Sequence, residues 1–399
     1  MNRRASLPLF YVVVTLFAAS DMAMIIAMVW YALDITKSTF LVGVTLCIST
    51  VVPFILEKWF SRQRPAQLSI NRLVVIRLIA FATILAFALM HLTDFVPGFL
   101  IIAFIVGMAD YFTISTLESQ NTKFVLAGAL DSDKSARFMQ TAIQIGAFGG
   151  DFLGGVAIDS FSITTTLTTI CGFAIVSLCM LLIPQIHVTT VLLKETMKEP
   201  EEVVEQSYGS VTQISWVILG LAMIGFHIGA FNSLVPIVFQ QLNRWSATSF
   251  GIASGLAGVG AFLAAIIPRF SINILWLVTA VTVMDVALVY SPWPALACSA
   301  AFLIGFCINQ LRISFRKYLI EQSNNAKVAD ALASRSTFYY LLLSGAAPMI
   351  LTLFTTNALF GLGASRPLMI FAAVALALVV IVCLVMPRSP YRFSRGDCK

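Results

Sequence analysis

Charge is what this sequence has least of. Only 11% of its 399 residues are Asp, Glu, Lys or Arg, while 59% are hydrophobic and the mean hydropathy is +0.92. A soluble domain ordinarily carries about 25% charged residues. A water-facing surface cannot be built from so few, so most of this chain has lipid as its solvent. Histidine is scarcer still. His91, His187 and His227 are too scattered for a metal or hydrolase centre. The seven cysteines, Cys47, Cys171, Cys179, Cys298, Cys307, Cys383 and Cys398, show no metal-ligand or redox spacing, and most lie in apolar runs as packing residues. No Gly-rich loop with Lys-Ser/Thr suits a nucleotide phosphate. Despite a net charge of +6, no basic run interleaved with aromatics suits nucleic acid. These absences predict no cofactor, no metal, no nucleic-acid partner and no enzymatic centre.

What is present is a series of long apolar runs, broken once by a polar interval at 188–212. That interval carries Lys194, Lys198, Glu195, Glu199, Glu201, Glu202 and Glu205. The runs predict twelve membrane spans, each of about 18–28 residues. In the first half they fall at about 9–33, 39–57, 70–91, 96–118, 136–158 and 164–187. In the second half they fall at about 213–240, 246–268, 272–290, 294–318, 329–357 and 366–387. A backbone crossing lipid must satisfy its own hydrogen bonds, so the spans are read as helices, and the alternation of a membrane barrel is absent. The first run follows Arg3 and Arg4 but is too long for a signal-peptide core, so it is read as an uncleaved span. The expected fold is an all-α membrane protein, with a six-helix bundle at 1–187, a linker at 188–212 and a second six-helix bundle with a short tail at 213–399.

Orientation follows from the basic residues. If both termini and the linker share one side, that side collects all 25 Lys and Arg except Lys37, Arg244 and Arg366. The positive-inside rule makes that side cytoplasmic. Short loops point to a bacterial inner membrane.

Two sets of six spans around a cytoplasmic linker resemble the layout of the major facilitator superfamily over nearly the whole chain. Local motifs add to the resemblance. Between spans 2 and 3, Pro53 to Arg62 keeps the acid-base order of the family's loop as Glu57, Lys58 and Arg62, without its glycines. The resemblance implies a cytoplasmic latch between Glu57 and the start of span 11, with Arg335 as partner. Span 5 carries Gly146, Gly149, Gly150, Asp151, Gly154 and Gly155, which resembles the antiporter motif of the family's drug exporters with Asp151 in the proline position. The resemblance implies that this segment packs on span 8, itself rich in small residues from Gly251 to Gly260, and seals the outer side.

In that family spans 1, 4, 7 and 10 line the central cavity, and here all four carry polar groups. They are Asp21 on span 1, Asp110 and Glu118 on span 4, His227 and Asn232 on span 7, and Asn309, Gln310, Arg312 and Arg316 on span 10. A charge at mid-bilayer costs on the order of 3 kcal/mol, so it faces a cavity or a partner. Asn309, Arg312 and Arg316 share one helix face; the alternative for the arginines is snorkelling to the inner boundary. Asp21, Asp110, Glu118 and His227 are the candidates for proton coupling, with a hydrogen-bonded structural role as the alternative for His227. The acids are expected to face the span 10 arginines, and Asp285 of span 9 is expected near the outer face.

The expected function is proton-coupled secondary transport by alternating access. The resemblance favours export of a small polar or amphipathic organic compound, such as a drug-like metabolite or siderophore. The alternative is proton symport importing a nutrient or metal-chelate complex. The expected partners are that small molecule, the proton and the bilayer, with the chain acting as a monomer.

Overall fold

A computed structural model describes residues 6–60, 70–126, 130, 132–182, 211–267, 273–321 and 326–385. Within these ranges the backbone forms twelve α-helices and no strand. They are α1 (Ser6–Thr36), α2 (Thr39–Phe60), α3 (Ile70–Leu89), α4 (Val96–Leu126), α5 (Ser132–Ser160) and α6 (Ile163–Leu178), then α7 (Val211–Ile237), α8 (Ala247–Ile266), α9 (Ile274–Tyr290), α10 (Pro294–Glu321), α11 (Ala326–Phe354) and α12 (Ser365–Val385). Every expected span has its helix. Ten are long and apolar enough to cross a bilayer, while α6 and α9 have 16 and 17 residues. Large apolar side chains such as Ile79, Val176, Leu378 and Val385 point outwards, as lipid-facing residues do. The expected linker, 188–212, lies outside the described residues apart from Val211 and Thr212, which already begin α7.

The helices pack as two sets of six related by adding six to each helix number. Helix α1 packs on α4, α5 and α6, and α7 packs on α10, α11 and α12. Likewise α2 on α4 matches α8 on α10, and α3 on α4 and α6 matches α9 on α10 and α12. Even the short connections after α1 and α7 correspond. Each turns on a basic residue in the left-handed region, Lys37 (φ 51°) and Arg244 (φ 56°). Helix α7 ends in a π turn, Val238–Leu242, just after Pro236, whose missing N–H interrupts the hydrogen-bond ladder.

Two seams join the sets, α5 against α8 and α2 against α11, and these too are exchanged by the same relation. Hydrophobic burial supplies little drive between helices in lipid, so close approach depends on small residues. Along α2–α11, Gly43 lies on Pro348 and Thr352, and Gly345 lies on Val51. The Thr39 hydroxyl donates to the Thr352 carbonyl at 3.4 Å, and the Phe54 and Phe338 rings meet at 5.5 Å.

Candidate functional site

The polar centre of the first set lies between α1, α3 and α4. Asp21 is about midway along α1 and Arg77 lies in the second turn of α3. Arg77 grips Asp21 with both ends, Nη1 to Oδ2 at 2.8 Å and Nη2 to Oδ1 at 2.9 Å. The same nitrogens donate to Thr113 Oγ1 at 2.7 Å and Ser20 Oγ at 3.0 Å. Phe17 and Phe81 stack on the guanidinium at 4.1 and 5.0 Å. Arg77 and Asp21 are both buried. A bidentate pair flanked by hydroxyls and aromatic faces offsets the cost of burying these groups, with Arg77 Nε left unpartnered.

Two sequence-based expectations are corrected here. The positive-inside count places Arg77 with the cytoplasmic loop charges, yet it is buried and its guanidinium reaches Asp21 midway along α1. The partner of Asp21 is this α3 arginine rather than an arginine of α10, because an ion pair forms where helix packing brings charges together, and α3 and α1 both flank α4. Asp110 lies one turn before Thr113 on α4. It is half-buried, and it is near enough to interact electrostatically with both Asp21 and Arg77. Of the two acids it is the less buried. Glu118 lies further along α4, and its side chain is outside the description.

In the second set, His227 of α7 and Asp285 of α9 hydrogen-bond at 2.7 Å between Nε2 and Oδ2, both buried. Asp285 lies in the last two turns of α9, with its carboxylate turned inward to the histidine. His227 Nδ1 and Asp285 Oδ1 are buried without a hydrogen-bond partner.

On α10, Asn309 donates to the Ala261 carbonyl at 2.6 Å and Gln310 to the Ala264 carbonyl at 2.9 Å, both on α8. These amides hold α10 to α8, where Gly260 and Gly305 let the backbones meet; Asn309 is buried and Gln310 half-buried. Arg312 is half-buried with its guanidinium 5.0 Å from the Tyr340 ring. Arg316 is exposed, and Asn232 of α7 is half-buried.

The α5–α8 seam confirms close packing of these helices but divides the α5 glycines between two neighbours. Gly146, Gly150 and Gly154 lie on Thr15, Ala19 and Ala23 of α1, whereas Gly155 lies on Ala247 of α8. The expectation that Gly150 and Gly154 face α8 is thus corrected: α5 is wedged between α1 and α8, and glycines line both faces. Asp151 Oδ2 is hydrogen-bonded to Ser254 of α8. Two turns on, Asp159 caps the start of α8, accepting from the N–H groups of Ala247 at 3.0 Å and Thr248 at 2.7 Å. A carboxylate there meets unpaired donors and the positive end of the helix dipole. Of the expected latch, Arg335 is exposed on α11. Glu57 and Lys58 end α2 with side chains outside the description, and Arg62 lies outside the described residues.

Arg77, Asp285, Ser254, Asp159 and Tyr340 were not singled out as site residues from sequence. The available signal was a charge inside an apolar run for Arg77 and Asp285; nothing in sequence marks Ser254 or Tyr340.

No protein-family model and no curated protein matches the sequence. Solved structures do match in three dimensions. A bacterial homologue of the iron transporter ferroportin in an inward-facing state aligns with a TM-score of 0.71 at 13% identity, covering 96% of this chain and 99% of that one. A point variant of the nucleoside transporter NupG aligns at 0.67 and 14%, covering 96% and 100%. A bacterial metal transporter aligns at 0.67 and 14%, covering 95% and 98%. At such identities the likeness concerns the fold. Over nearly its whole length, this chain shares the all-helical fold of these proteins.

Proposed function

We propose that this chain is a proton-coupled secondary transporter of the major facilitator type, working by alternating access as a monomer in a bacterial inner membrane. The two six-helix sets would rock about the α5–α8 and α2–α11 seams, with the linker and both termini in the cytoplasm. The observation that carries the reading is the half-buried Asp110 beside the bidentate Asp21–Arg77 pair. Asp21 is locked by its arginine, so Asp110 is the acid free to take up and release a proton. Asp21 and Arg77 set the field in which it does so.

Arg312 and Asn232 present a cation and an amide from α10 and α7. With Asp110 on the other set, these groups suit a small organic anion or zwitterion. The glycine-lined α5, packed on α8, supports export. The test uses everted membrane vesicles with an imposed acid-inside gradient and a fluorescent pH probe. A panel of small organic anions and zwitterions is added from outside. Export by antiport predicts that at least one compound dissipates the gradient in vesicles containing this chain and not in control vesicles. Compounds that move only down their own gradient, or that enter with protons in right-side-out vesicles, would contradict export and favour facilitation or import.

A further inference from the structure

Asp151 lies inside the seam between the two sets and is 3% exposed. Its Oδ2 bonds the Ser254 hydroxyl across the seam, and its Oδ1 is buried without a partner. The charged and titratable groups on the helices packed around it leave it alone. Helix α8 has none along Ala247–Ile266, and α6 has only Cys171. On α1, Asp21 is held by Arg77, Asp34 by Lys37, Tyr11 by Asn121 and Tyr31 by Thr166. On α4 stand Asp110, Tyr111, Glu118 and Lys123, and on α5 itself Asp133, Lys134, Arg137 and Asp159. Among the described residues none of these bonds Asp151. A carboxylate closed between two helices with one hydroxyl partner and no cation is strongly unfavourable, whereas the neutral acid fits a single hydrogen bond with serine.

We propose that Asp151 is a second proton-binding site, placed at the outer gate: neutral and bonded to Ser254 while α5 and α8 are packed, ionised once they part and external water reaches it. The inference rests on the alternating-access reading. Opening releases the Asp151 proton to external water, and closing takes one up. Acid outside therefore favours the closed seam, and alkali favours the open one. Asp159 serves differently: it holds the seam by accepting from the Ala247 and Thr248 N–H groups at the α8 N-terminus.

The test is hydrogen–deuterium exchange of the purified full chain in lipid nanodiscs without substrate. Exchange is followed from about pH 5 to pH 9 and corrected for intrinsic rates. In the unaltered chain, the peptides covering 148–160 and 247–258 are expected to lose protection as pH rises. Asp151→Asn is expected to remain protected throughout. Ser254→Ala is expected to keep the response but move it about one pH unit lower, the shift equivalent to losing one hydrogen bond. A normal response in Asp151→Asn, an unmoved response in Ser254→Ala, or no pH response in the unaltered chain would each overturn the proposal. Asp110→Asn is expected to leave the seam's response intact. A responsive seam in a chain that moves no compound in vesicles would contradict the transport reading alone.

Discussion

The two six-helix sets each bury one acid-base pair at a corresponding place, and the pairs are built in opposite senses. In the first set the acid is on the leading helix, α1, and the base on α3. In the second the base is on α7 and the acid on α9. The first pair is bidentate: both Asp21 oxygens are gripped, and two hydroxyls and two rings surround the arginine, whose Nε is left without a partner. The second is held by a single hydrogen bond and leaves His227 Nδ1 and Asp285 Oδ1 without partners. Arginine does not release its proton in a protein, but histidine does. The repeated architecture therefore places a bidentate brace in one set and a singly bonded pair in the other.

Three substitutions sharpen that contrast, each read as thermal unfolding of the purified protein. The largest effect is expected for Arg77→Leu, which strands Asp21 in the membrane interior and should cost about 3–5 kcal/mol. A loss under about 1 kcal/mol would mean that the brace contributes nothing. His227→Leu should cost less, about 1–3 kcal/mol, because it removes one hydrogen bond to Asp285, whereas Arg77→Leu removes two to Asp21 and those to Thr113 and Ser20. Equal losses at the two sites would erase the distinction. Asp285→Asn keeps a side-chain hydrogen bond to His227 and should cost about 1 kcal/mol or less. A larger loss would show that the histidine needs a full negative charge and is itself held protonated.

The legible part of this protein was the part that lipid dictates. Apolar runs set the twelve helices, because a bilayer allows no other backbone solution for them. The ends were less legible: α4 continues to Leu126 and α5 begins at Ser132, since a helix need not stop where the hydrocarbon does. The pairs were not legible. Asp21 and Arg77 are 56 residues apart, His227 and Asp285 58, and no periodicity along one helix reports which neighbour a side chain meets. Arg77 was hidden by the positive-inside count, which treats basic residues as loop charges. The α5 glycines identified close packing but not its direction, because α1 and α8 take alternate faces of the same run. Asn309 and Gln310 looked like cavity groups by position, yet α8 carbonyls claim them.

The central claim is that Asp110, beside a locked Asp21–Arg77 pair, carries the coupled proton. Its most direct test uses proteoliposomes containing the purified protein and a compound identified in the vesicle screen. Exchange of labelled for unlabelled compound is measured alongside accumulation driven by a pH gradient. The account predicts that Asp110→Asn keeps exchange within about threefold of the unaltered protein, equivalent to about 0.7 kcal/mol, and loses gradient-driven accumulation. Accumulation by Asp110→Asn at the unaltered level, with the same pH dependence, would contradict it.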